Sequence, residues 1–198
     1  MSSIILASQS PRRAELLRQI QVDFDVNPVD IDESVYPNED AVAYVQRLAL
    51  HKAQTAWQRS AQDKAVLGAD TVVVAKGQIL GKPKDLQDCR KMLTLLSGDS
   101  HEVLTSVAVV TGQQQLQSLV KTQVTFKVLS PAEIDWYWHT GEPADKAGAY
   151  AIQGLAGQFV LHIKGSYSAV VGLPLYETRQ LLSELGMPLV QSAIRVRG

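Results

Sequence analysis

The spacing of apolar residues changes several times along the chain, which predicts strands that alternate with helices. Residues 65–75 are rich in β-branched side chains and almost continuously apolar, a pattern typical of a strand buried on both faces. Residues 101–110 and 115–128 surround a turn at 111–113, which predicts an antiparallel hairpin. Further extended segments are expected at residues 4–7, 22–29, 78–80 and 158–163.

Helical spacing is clearest from Glu39 to about Ala61, a segment for which Asn38 is the expected N-cap. Its apolar stripe consists of Val42, Val45, Leu48, Ala49, Ala53 and Ala56. Shorter helices are expected at residues 11–20, from the cap Asp85 to about Leu96, from Ser130 and Pro131 to about Trp138, and from Pro174 to about Leu185. The glycine- and alanine-rich residues 141–157 are expected to form a loop with a short helical turn. This order predicts an α/β protein with a mixed sheet.

Composition narrows the possible partners and locations. The chain has 198 residues, 45% hydrophobic and 20% charged, which suits one large globular domain or two tightly joined lobes. A net charge of −1 gives no reason to expect nucleic-acid or membrane binding, so any anion site must depend on local charge. The single cysteine, Cys89, allows no intramolecular disulfide. Because we find no signal-peptide pattern and no apolar run of about 18 residues, we expect a cytoplasmic protein. The tail from Gln191 is expected to be loosely held.

The most distinctive segment is the opening, where an apolar strand leads through Ser8 and Ser10 into Pro11, Arg12 and Arg13. Proline suits the first position of a helix, and Ser10 suits the N-cap before it. A helix N-terminus attracts anions, so two arginines in its first turn are unfavourable unless an anion is present. The segment therefore predicts a phosphate site, and the alternative is a solvated basic turn. Because alanine favours helix, Arg13→Ala is expected to lower activity without changing thermal stability.

Two acidic residues are candidates for catalysis and metal binding. Asp70 lies in an apolar run beside the small residues Gly68 and Ala69, where an unpaired carboxylate is costly to bury. A functional carboxylate at the end or rim of a central strand would explain this position, and pairing with an arginine is the alternative. Glu33 lies in an acidic loop of the kind that is usually just solvated. Magnesium, however, needs only one or two protein carboxylates when phosphates complete its shell, so Glu33 and Asp70 would suffice if they converge.

Two lysines are candidates for binding an anion. Lys52 lies at the edge of the inward-facing stripe of the long helix, and Lys82 lies in a rigid glycine–proline turn after the Asp70 strand. The alternatives are a lysine that extends along the surface to solvent and an exposed loop lysine. The chain lacks the common phosphate-loop, dinucleotide, zinc-protease and nucleophile-elbow motifs.

Five segments share their sequences and their order with one family. They are ASQSPRR at residues 7–13, LGADTVV at 67–73, GKP at 81–83, KAGAYAIQG at 146–154 and GSYSAVVGLPL at 165–175. On these segments the chain is identified as a member of the Maf family. The resemblance spans residues 4 to about 187, with no departure at a motif position, and leaves only the tail uncovered.

The resemblance implies a nucleoside triphosphate pyrophosphatase that cleaves between the α- and β-phosphates with a divalent metal, Mg²⁺ or Mn²⁺. It implies one Maf-like domain over residues 1–198, with a fold similar to inosine triphosphate pyrophosphatases: an elongated mixed sheet flanked by helices, and two lobes around a cleft. Arg12, Thr71 and Gln153 resemble the branch that acts on dTTP and UTP, including modified uridine nucleotides. A homodimer and a link to arrest of cell division are implied at family level only.

The resemblance and the residues together give each candidate a role. Asp70 is expected to be the general base, and Glu33 and Asp70 to hold the metal. The phosphates are expected to contact Ser8, Arg12, Arg13, Lys52 and Lys82. One alternative is a pyrophosphatase for 7-methyl-GTP, the substrate of a sister branch. Another is a regulator of septation that binds nucleotides or nucleic acid without turnover, which the retained charged motifs and the near-zero net charge disfavour.

Overall fold

The computed structural model describes residues 3–187, which form one seven-stranded sheet flanked by helices. The strands are β1 (Ile4–Leu6), β2 (Phe24–Val26), β3 (Val66–Ala75), β4 (Gln78–Leu80), β5 (Ser100–Val110), β6 (Gln115–Phe126) and β7 (Val160–Lys164). The helices are α1 (Pro11–Gln19), α2 (Ala41–Arg59), α3 (Leu86–Leu96), α4 (Pro131–His139), α5 (Tyr167–Val171) and α6 (Leu175–Glu184). Three short 3₁₀ helices lie at Glu142–Asp145, Ala147–Ala149 and Leu155–Phe159.

The sheet is mixed, which confirms the predicted α/β class. Its strand order is β2-β1-β3-β5-β6-β7, and β4 pairs with one end of β3. Strand β1 is parallel to both β2 and β3, as expected where helices connect the strands. All other pairs are antiparallel, including the predicted β5–β6 hairpin.

Buried side chains form separate cores in two lobes. The core of the first lobe lies around β1, α1 and α6 and includes Ile4, Leu17, Leu67, Val107 and Leu182. The core of the second lobe lies around α3 and α4 and includes Val73, Leu93, Val103, Phe126 and Tyr137. Strands β3 and β5 contribute to both cores, so the lobes share one continuous sheet. Within residues 3–187, no helix combines the length and the apolar character that crossing a bilayer requires.

Helix α2 lies directly on β3 at Gly68. A Cβ atom at this position would lie 2.4 Å from the carbonyl oxygen of Ala49 and 2.7 Å from the backbone nitrogen of Ala53. Only a residue without a side chain permits so close a contact between helix and strand. The contact carries Lys52, the neighbour of Ala53, toward Asp70, two residues after the glycine.

The predicted start of the long helix is wrong. Helix α2 begins at Ala41, and its N-cap is Asp40, whose side chain accepts a hydrogen bond of 2.8 Å from the backbone nitrogen of Ala43. Asn38 instead has a φ of 63°, a left-handed turn conformation that asparagine tolerates. The two polar residues compete for the cap, and the turn at Asn38 decides in favour of Asp40.

Most other boundaries agree with the sequence. The caps Asp85 and Ser130 both accept hydrogen bonds from the first turns of their helices, and Ser130 forms a complete capping box with Glu133. The extended segment at 22–29 contains a strand only at its centre. The five-residue helix α5 has no sequence counterpart, because it is too short for a periodic signal. The predicted tail from Gln191 lies outside the described residues.

Candidate active site

The cleft between the lobes lies along an edge of β3 that is only partly paired. Strand β1 pairs with β3 at Val66 and Leu67, and β4 pairs with it from Val73 onward. Between these points the described residues contribute no strand to this edge. Asp70 and Thr71 lie in the gap. Asp70 is therefore in the middle of β3, not at the end or rim of the strand as the sequence suggested, and it lines the cleft although it is largely buried.

A cavity of about 780 Å³ fills this cleft. That volume is typical of small-molecule sites, which measure roughly 300–1,000 Å³. Its wall includes all the site residues predicted from the sequence, namely Ser8, Arg12, Arg13, Glu33, Lys52, Asp70, Thr71, Lys82 and Gln153. The structure thus brings together residues from six separate segments. Their individual roles stay predictions.

The first turn of α1 forms one wall of the cavity. Ser10 occupies the N-cap position in an extended conformation, but its side chain makes no capping hydrogen bond. Its backbone nitrogen instead donates to Ser8 Oγ at 3.1 Å. The side chain predicted to cap the helix therefore leaves the N–H groups of the first turn available, which suits an anion site.

Arg13 is partly engaged by the protein itself. Its Nε donates to the carbonyl oxygen of Gly172 at 2.9 Å, and Nη1 donates to Ser8 Oγ at 3.2 Å. Nη2 lies 3.5 Å from Thr71 Oγ1. Burial lowers the pKa of Arg13, while the nearby carboxylate of Asp70 opposes that shift. Arg13 therefore joins α1 to the residue that follows α5, in addition to placing a positive charge beside the cavity.

Glu33 and Asp70 converge on Lys52. Its Nζ lies 2.6 Å from Glu33 Oε1 and 2.7 Å from Asp70 Oδ1. The side chains of Lys52 and Asp70 are only 12% and 11% exposed, whereas that of Glu33 is 48% exposed. Burial requires the two inner charges to be paired, which explains why this lysine does not extend to solvent.

The two carboxyl groups have opposite pKa shifts. Burial raises the pKa of Asp70, and the positive charges of Lys52 and Arg13 offset this only in part. Burial also acts to raise the pKa of Glu33, but the hydrogen bond and charge of Lys52 together with the charges of Lys82 and Arg13 outweigh it, and the net shift is downward. Asp70 therefore accepts a proton more readily than an exposed aspartate does, whereas Glu33 accepts one less readily than an exposed glutamate does.

Helix α2 also holds the loop that carries Glu33. The hydroxyl of Tyr44 donates to the carbonyl oxygen of Glu33 at 2.8 Å. Arg47 donates to the carbonyl oxygen of Ser34 at 2.9 Å and forms a bidentate pair with Glu39. Tyr44 and Arg47 were not predicted from the sequence. The interval of eight residues between Tyr44 and Lys52 does, however, predict that Tyr44 lies on the same helix face as Lys52.

The remaining predicted residues line the rest of the cavity. Lys82 is exposed in the turn after β4, and this turn is held where Gly148 donates its backbone hydrogen to the Gly81 carbonyl at 3.0 Å. Arg12 lies 3.5 Å from the carboxylate of Asp145. Gln153 is exposed, and it lines both this cavity and an adjoining one of about 660 Å³, as Arg12 does.

Thr71 is held by the protein interior. Its hydroxyl oxygen lies 3.1 Å from Thr105 Oγ1, which donates to the carbonyl oxygen of Ala169 at 2.7 Å. Together with Arg13, these contacts join β3, β5 and α5. These contacts hold Thr71 in the cavity wall beside Asp70.

The donor set fits a hard divalent cation. Glu33 and Asp70 each place a carboxylate oxygen within 2.7 Å of one cationic atom, Lys52 Nζ. The two carboxylates therefore accommodate a positive charge between them. No group of three or more acidic, histidine or cysteine side chains suited to a metal occurs within residues 3–187. Two carboxylates without further protein ligands are the arrangement expected where substrate phosphates complete a magnesium shell.

The chain is similar to known proteins over most of its length. The family described as Maf-like protein matches residues 3–185. A protein of Pseudoalteromonas atlantica named dTTP/UTP pyrophosphatase is 59% identical over 187 residues, which cover 93% of this chain and 97% of that protein. A protein of Vibrio parahaemolyticus with the same name is 53% identical over 182 residues, covering 92% and 96% respectively.

A solved structure with little sequence similarity shares the fold. The Ham1 protein of Staphylococcus aureus superimposes with a TM-score of 0.52, covering 93% of this chain and all of that one, at 14% identity. The expected arrangement of a mixed sheet with flanking helices is thereby confirmed. The family match, the two relatives and the shared motifs lead to one conclusion: the chain belongs to the Maf family.

Proposed function

We propose that the protein hydrolyses dTTP and UTP, and modified uridine triphosphates, to the nucleoside monophosphate and pyrophosphate. The observation that carries this proposal is the pairing of Asp70 with Lys52 and Glu33 in the same cleft as the first turn of α1. A carboxylate of raised pKa thus lies close to groups suited to bind phosphates. The names of relatives that are 53–59% identical supply the nucleotide specificity of the proposal.

Phosphate binding follows from the charges around the cavity. The N-terminus of α1 offers unpaired N–H groups and a partial positive charge, and Ser8 lies just before it. Arg12, Lys52 and Lys82 supply cationic groups on long side chains, while Arg13 adds a fixed charge at the cavity wall. Together these groups oppose the roughly four negative charges of a triphosphate and stabilise the leaving pyrophosphate.

Asp70 is the proposed general base. With Oδ1 bound to Lys52, the carboxylate accepts a proton from water, and the water oxygen forms a bond to the α-phosphorus. The bond from that phosphorus to the oxygen shared with the β-phosphate then breaks, and pyrophosphate leaves. Because burial raises the pKa of Asp70, it accepts the proton more readily than an exposed aspartate does.

A divalent cation, Mg²⁺ or Mn²⁺, is part of the proposal. Glu33 and Asp70 would hold it, and when bound it would supply electrostatic stabilisation of the phosphate oxygens as charge develops. In the structure Lys52 lies between the same two carboxylates. Lys52 therefore orients Glu33 and Asp70 toward one point.

Recognition of the base is assigned to Gln153, Thr71 and Arg12. Uracil and thymine present the O4 acceptor and the N3–H donor, which one side-chain amide can match with a donor and an acceptor. A purine would leave such groups unpaired, which disfavours its turnover. Both Gln153 and Arg12 lie where the main cavity meets the adjoining one, so the base would lie there while the phosphates approach α1.

Two other activities remain as alternatives. A pyrophosphatase specific for 7-methyl-GTP would need different base contacts at positions 12, 71 and 153. A non-catalytic regulator of septation would need no general base, yet Asp70 has a raised pKa and lines a cleft.

We also propose that the protein is a cytoplasmic homodimer. Each subunit would bind a free nucleotide as substrate, and the protein would not bind nucleic acid. Any effect on cell division would follow from nucleotide hydrolysis.

The test is release of pyrophosphate from a panel of nucleotides in Mg²⁺, with Asp70→Asn as the control for contaminating activity. We expect dTTP and UTP to be hydrolysed much faster than GTP, ATP and 7-methyl-GTP. Equal rates on GTP and UTP would overturn the base preference, and preferred turnover of 7-methyl-GTP would support the sister activity. Nucleotide binding with no turnover of any member would support the regulator.

A further inference from the structure

Glu142 lies outside the cleft, yet it makes more hydrogen bonds to the protein than any predicted site carboxylate. It starts the 3₁₀ helix Glu142–Asp145, which follows a left-handed turn at Gly141 with a φ of 78°. Its Oε1 accepts a hydrogen bond from the Tyr137 hydroxyl at 2.7 Å. The backbone nitrogens of Leu155 and Ala156 donate to the same carboxylate at 3.0 and 3.3 Å.

These hydrogen bonds enclose the turn that carries Gln153. Ala151, on one side of the turn, donates its backbone hydrogen to the Tyr137 hydroxyl at 3.1 Å. Leu155 and Ala156, on the other side, donate directly to Glu142. The turn itself is closed by a hydrogen bond of 3.0 Å from the Gly154 nitrogen to the Ala151 oxygen. One carboxylate and one phenol therefore hold both ends of a four-residue turn.

Gly154 shows that the carboxylate approaches this turn closely. A Cβ atom at Gly154 would lie 2.2 Å from Glu142 Oε2 and 2.6 Å from its carboxyl carbon. The side chain of Gln153, in contrast, is exposed and has no side-chain hydrogen bond within the described residues. The position of Gln153 is thus set by its backbone, and the backbone is set by Glu142 and Tyr137.

We infer that Glu142 is a positioning residue for nucleobase selection, which acts through the Gln153 turn and does not touch the substrate. This inference rests on the proposed role of Gln153 in recognising the base. A carboxylate can accept from both backbone donors at once, whereas the side-chain amide introduced by Glu142→Gln has one accepting atom and would present a donor to the other. The turn would shift, and the displaced Gln153 side chain would contact the base less favourably.

The experiment compares kcat/KM for UTP and for GTP in Glu142→Gln, Tyr137→Phe, Gln153→Ala and the double variant Glu142→Gln/Gln153→Ala. Glu133→Gln is the matched control, because Glu133 completes the capping box of α4, which carries Tyr137, and makes no contact with the turn. Melting temperatures are measured for all five. Tyr137→Phe keeps the ring packed and removes only the hydroxyl, so it serves if Glu142→Gln does not fold.

We expect Glu142→Gln to lower the ratio of kcat/KM for UTP to kcat/KM for GTP by about tenfold. The change should come from a higher KM for UTP, with kcat nearly unchanged, because a contact to the base stabilises the bound substrate and the transition state equally. In the double variant the ratio should equal that of Gln153→Ala alone, since residues that act as a unit are not additive. Glu133→Gln should leave the ratio unchanged even though it lowers the melting temperature.

Two results would overturn the inference. If Gln153→Ala lowers the ratio while Glu142→Gln and Tyr137→Phe lower turnover of both nucleotides equally, Glu142 is structural only and the proposed role of Gln153 stands. If Gln153→Ala itself leaves the ratio unchanged, that role fails, and the role of Glu142 in base selection fails with it. Neither result bears on whether the protein hydrolyses UTP.

Discussion

Lys52 Nζ lies 2.7 Å from Asp70 Oδ1, although the two residues are 18 positions apart and belong to a helix and a strand. Gly68 makes this possible by letting α2 lie directly on β3. Burial raises the pKa of Asp70 despite the nearby ammonium group, so the ionised form of this carboxylate is less favourable here than in water. A carboxylate kept in an environment that disfavours its charge is suited to accept a proton.

Asp70→Asn should lower kcat by about 10²–10⁴-fold, the usual contribution of a general base. The same variant should be at least as stable as the wild type at neutral pH. Because the pKa of folded Asp70 is raised, its ionised form destabilises the folded state at pH values above that pKa. The amide removes this cost, and the difference should shrink as the pH falls below the pKa of folded Asp70 and vanish below 3.8, the ordinary pKa of an aspartate. Urea unfolding in the presence of chelator measures the stability of the variant and of the wild type. Turnover by Asp70→Asn within a few-fold of the wild-type rate would exclude Asp70 as the base.

The pH dependence of kcat/KM should report the environment of Asp70. At Mg²⁺ concentrations that do not saturate the enzyme, the acid limb should have its midpoint above 3.8, the ordinary pKa of an aspartate. Lys52→Met should move the midpoint to still higher pH, since the lysine lowers the pKa of Asp70. Lys64→Met, which removes a partly exposed lysine paired with Asp25, is the control and should not move it. A midpoint that moves downward in Lys52→Met would contradict this account.

The structure changes the expectation for Arg13→Ala. From the sequence, its loss should leave stability unchanged, but the guanidinium donates to the Gly172 carbonyl and to Ser8. Leaving a buried acceptor unpaired costs about 1–3 kcal/mol, so the variant should lose stability as well as activity. Arg12→Ala, which removes only a 3.5 Å contact with an exposed carboxylate, should stay within about 0.5 kcal/mol of wild type. Equal unfolding free energies for the two variants would argue against this role of Arg13.

Activity should disappear in excess chelator and return with Mg²⁺ or Mn²⁺. Glu33→Gln should raise the Mg²⁺ concentration for half-maximal activity by about tenfold or more, since even groups that only support a metal ligand contribute ~10–100-fold. Asp32→Asn is the matched control, because it removes a charge from the same loop while keeping an acceptor for the Ser34 nitrogen. Full turnover in chelator, or equal shifts in both variants, would count against a metal at Glu33.

The sequence predicts the mixed sheet and nearly all of the helices, because apolar spacing and caps such as Asp85 and Ser130 are local signals. It fails where two local signals compete, as at Asn38 and Asp40. It also fails for α5, which is too short to give a reliable periodic pattern. These errors are confined to the ends and connections of elements, while the order of strands and helices is correct.

The sequence is a weaker guide to the geometry of the site. A motif contains Asp70, and the helix stripe and the acidic loop point to Lys52 and Glu33. None of these local signals reveals their common contact, which depends on the packing of α2 at Gly68. Nor does a motif show that Asp70 lies in mid-strand at a break in pairing. Supporting residues such as Glu142 act through backbone hydrogen bonds to residues 13 and 14 positions away, a relation that spacing alone does not reveal.

Hydrolysis of UTP in water enriched in ¹⁸O, with both products analysed by mass spectrometry, tests the central claim most directly. If water activated by Asp70 attacks the α-phosphorus, one ¹⁸O atom per turnover enters UMP and none enters pyrophosphate. Asp70→Asn should give the same labelling at a rate about 10²–10⁴-fold lower. Label in pyrophosphate, or release of UDP and labelled phosphate, would contradict attack at the α-phosphorus and with it the proposed function.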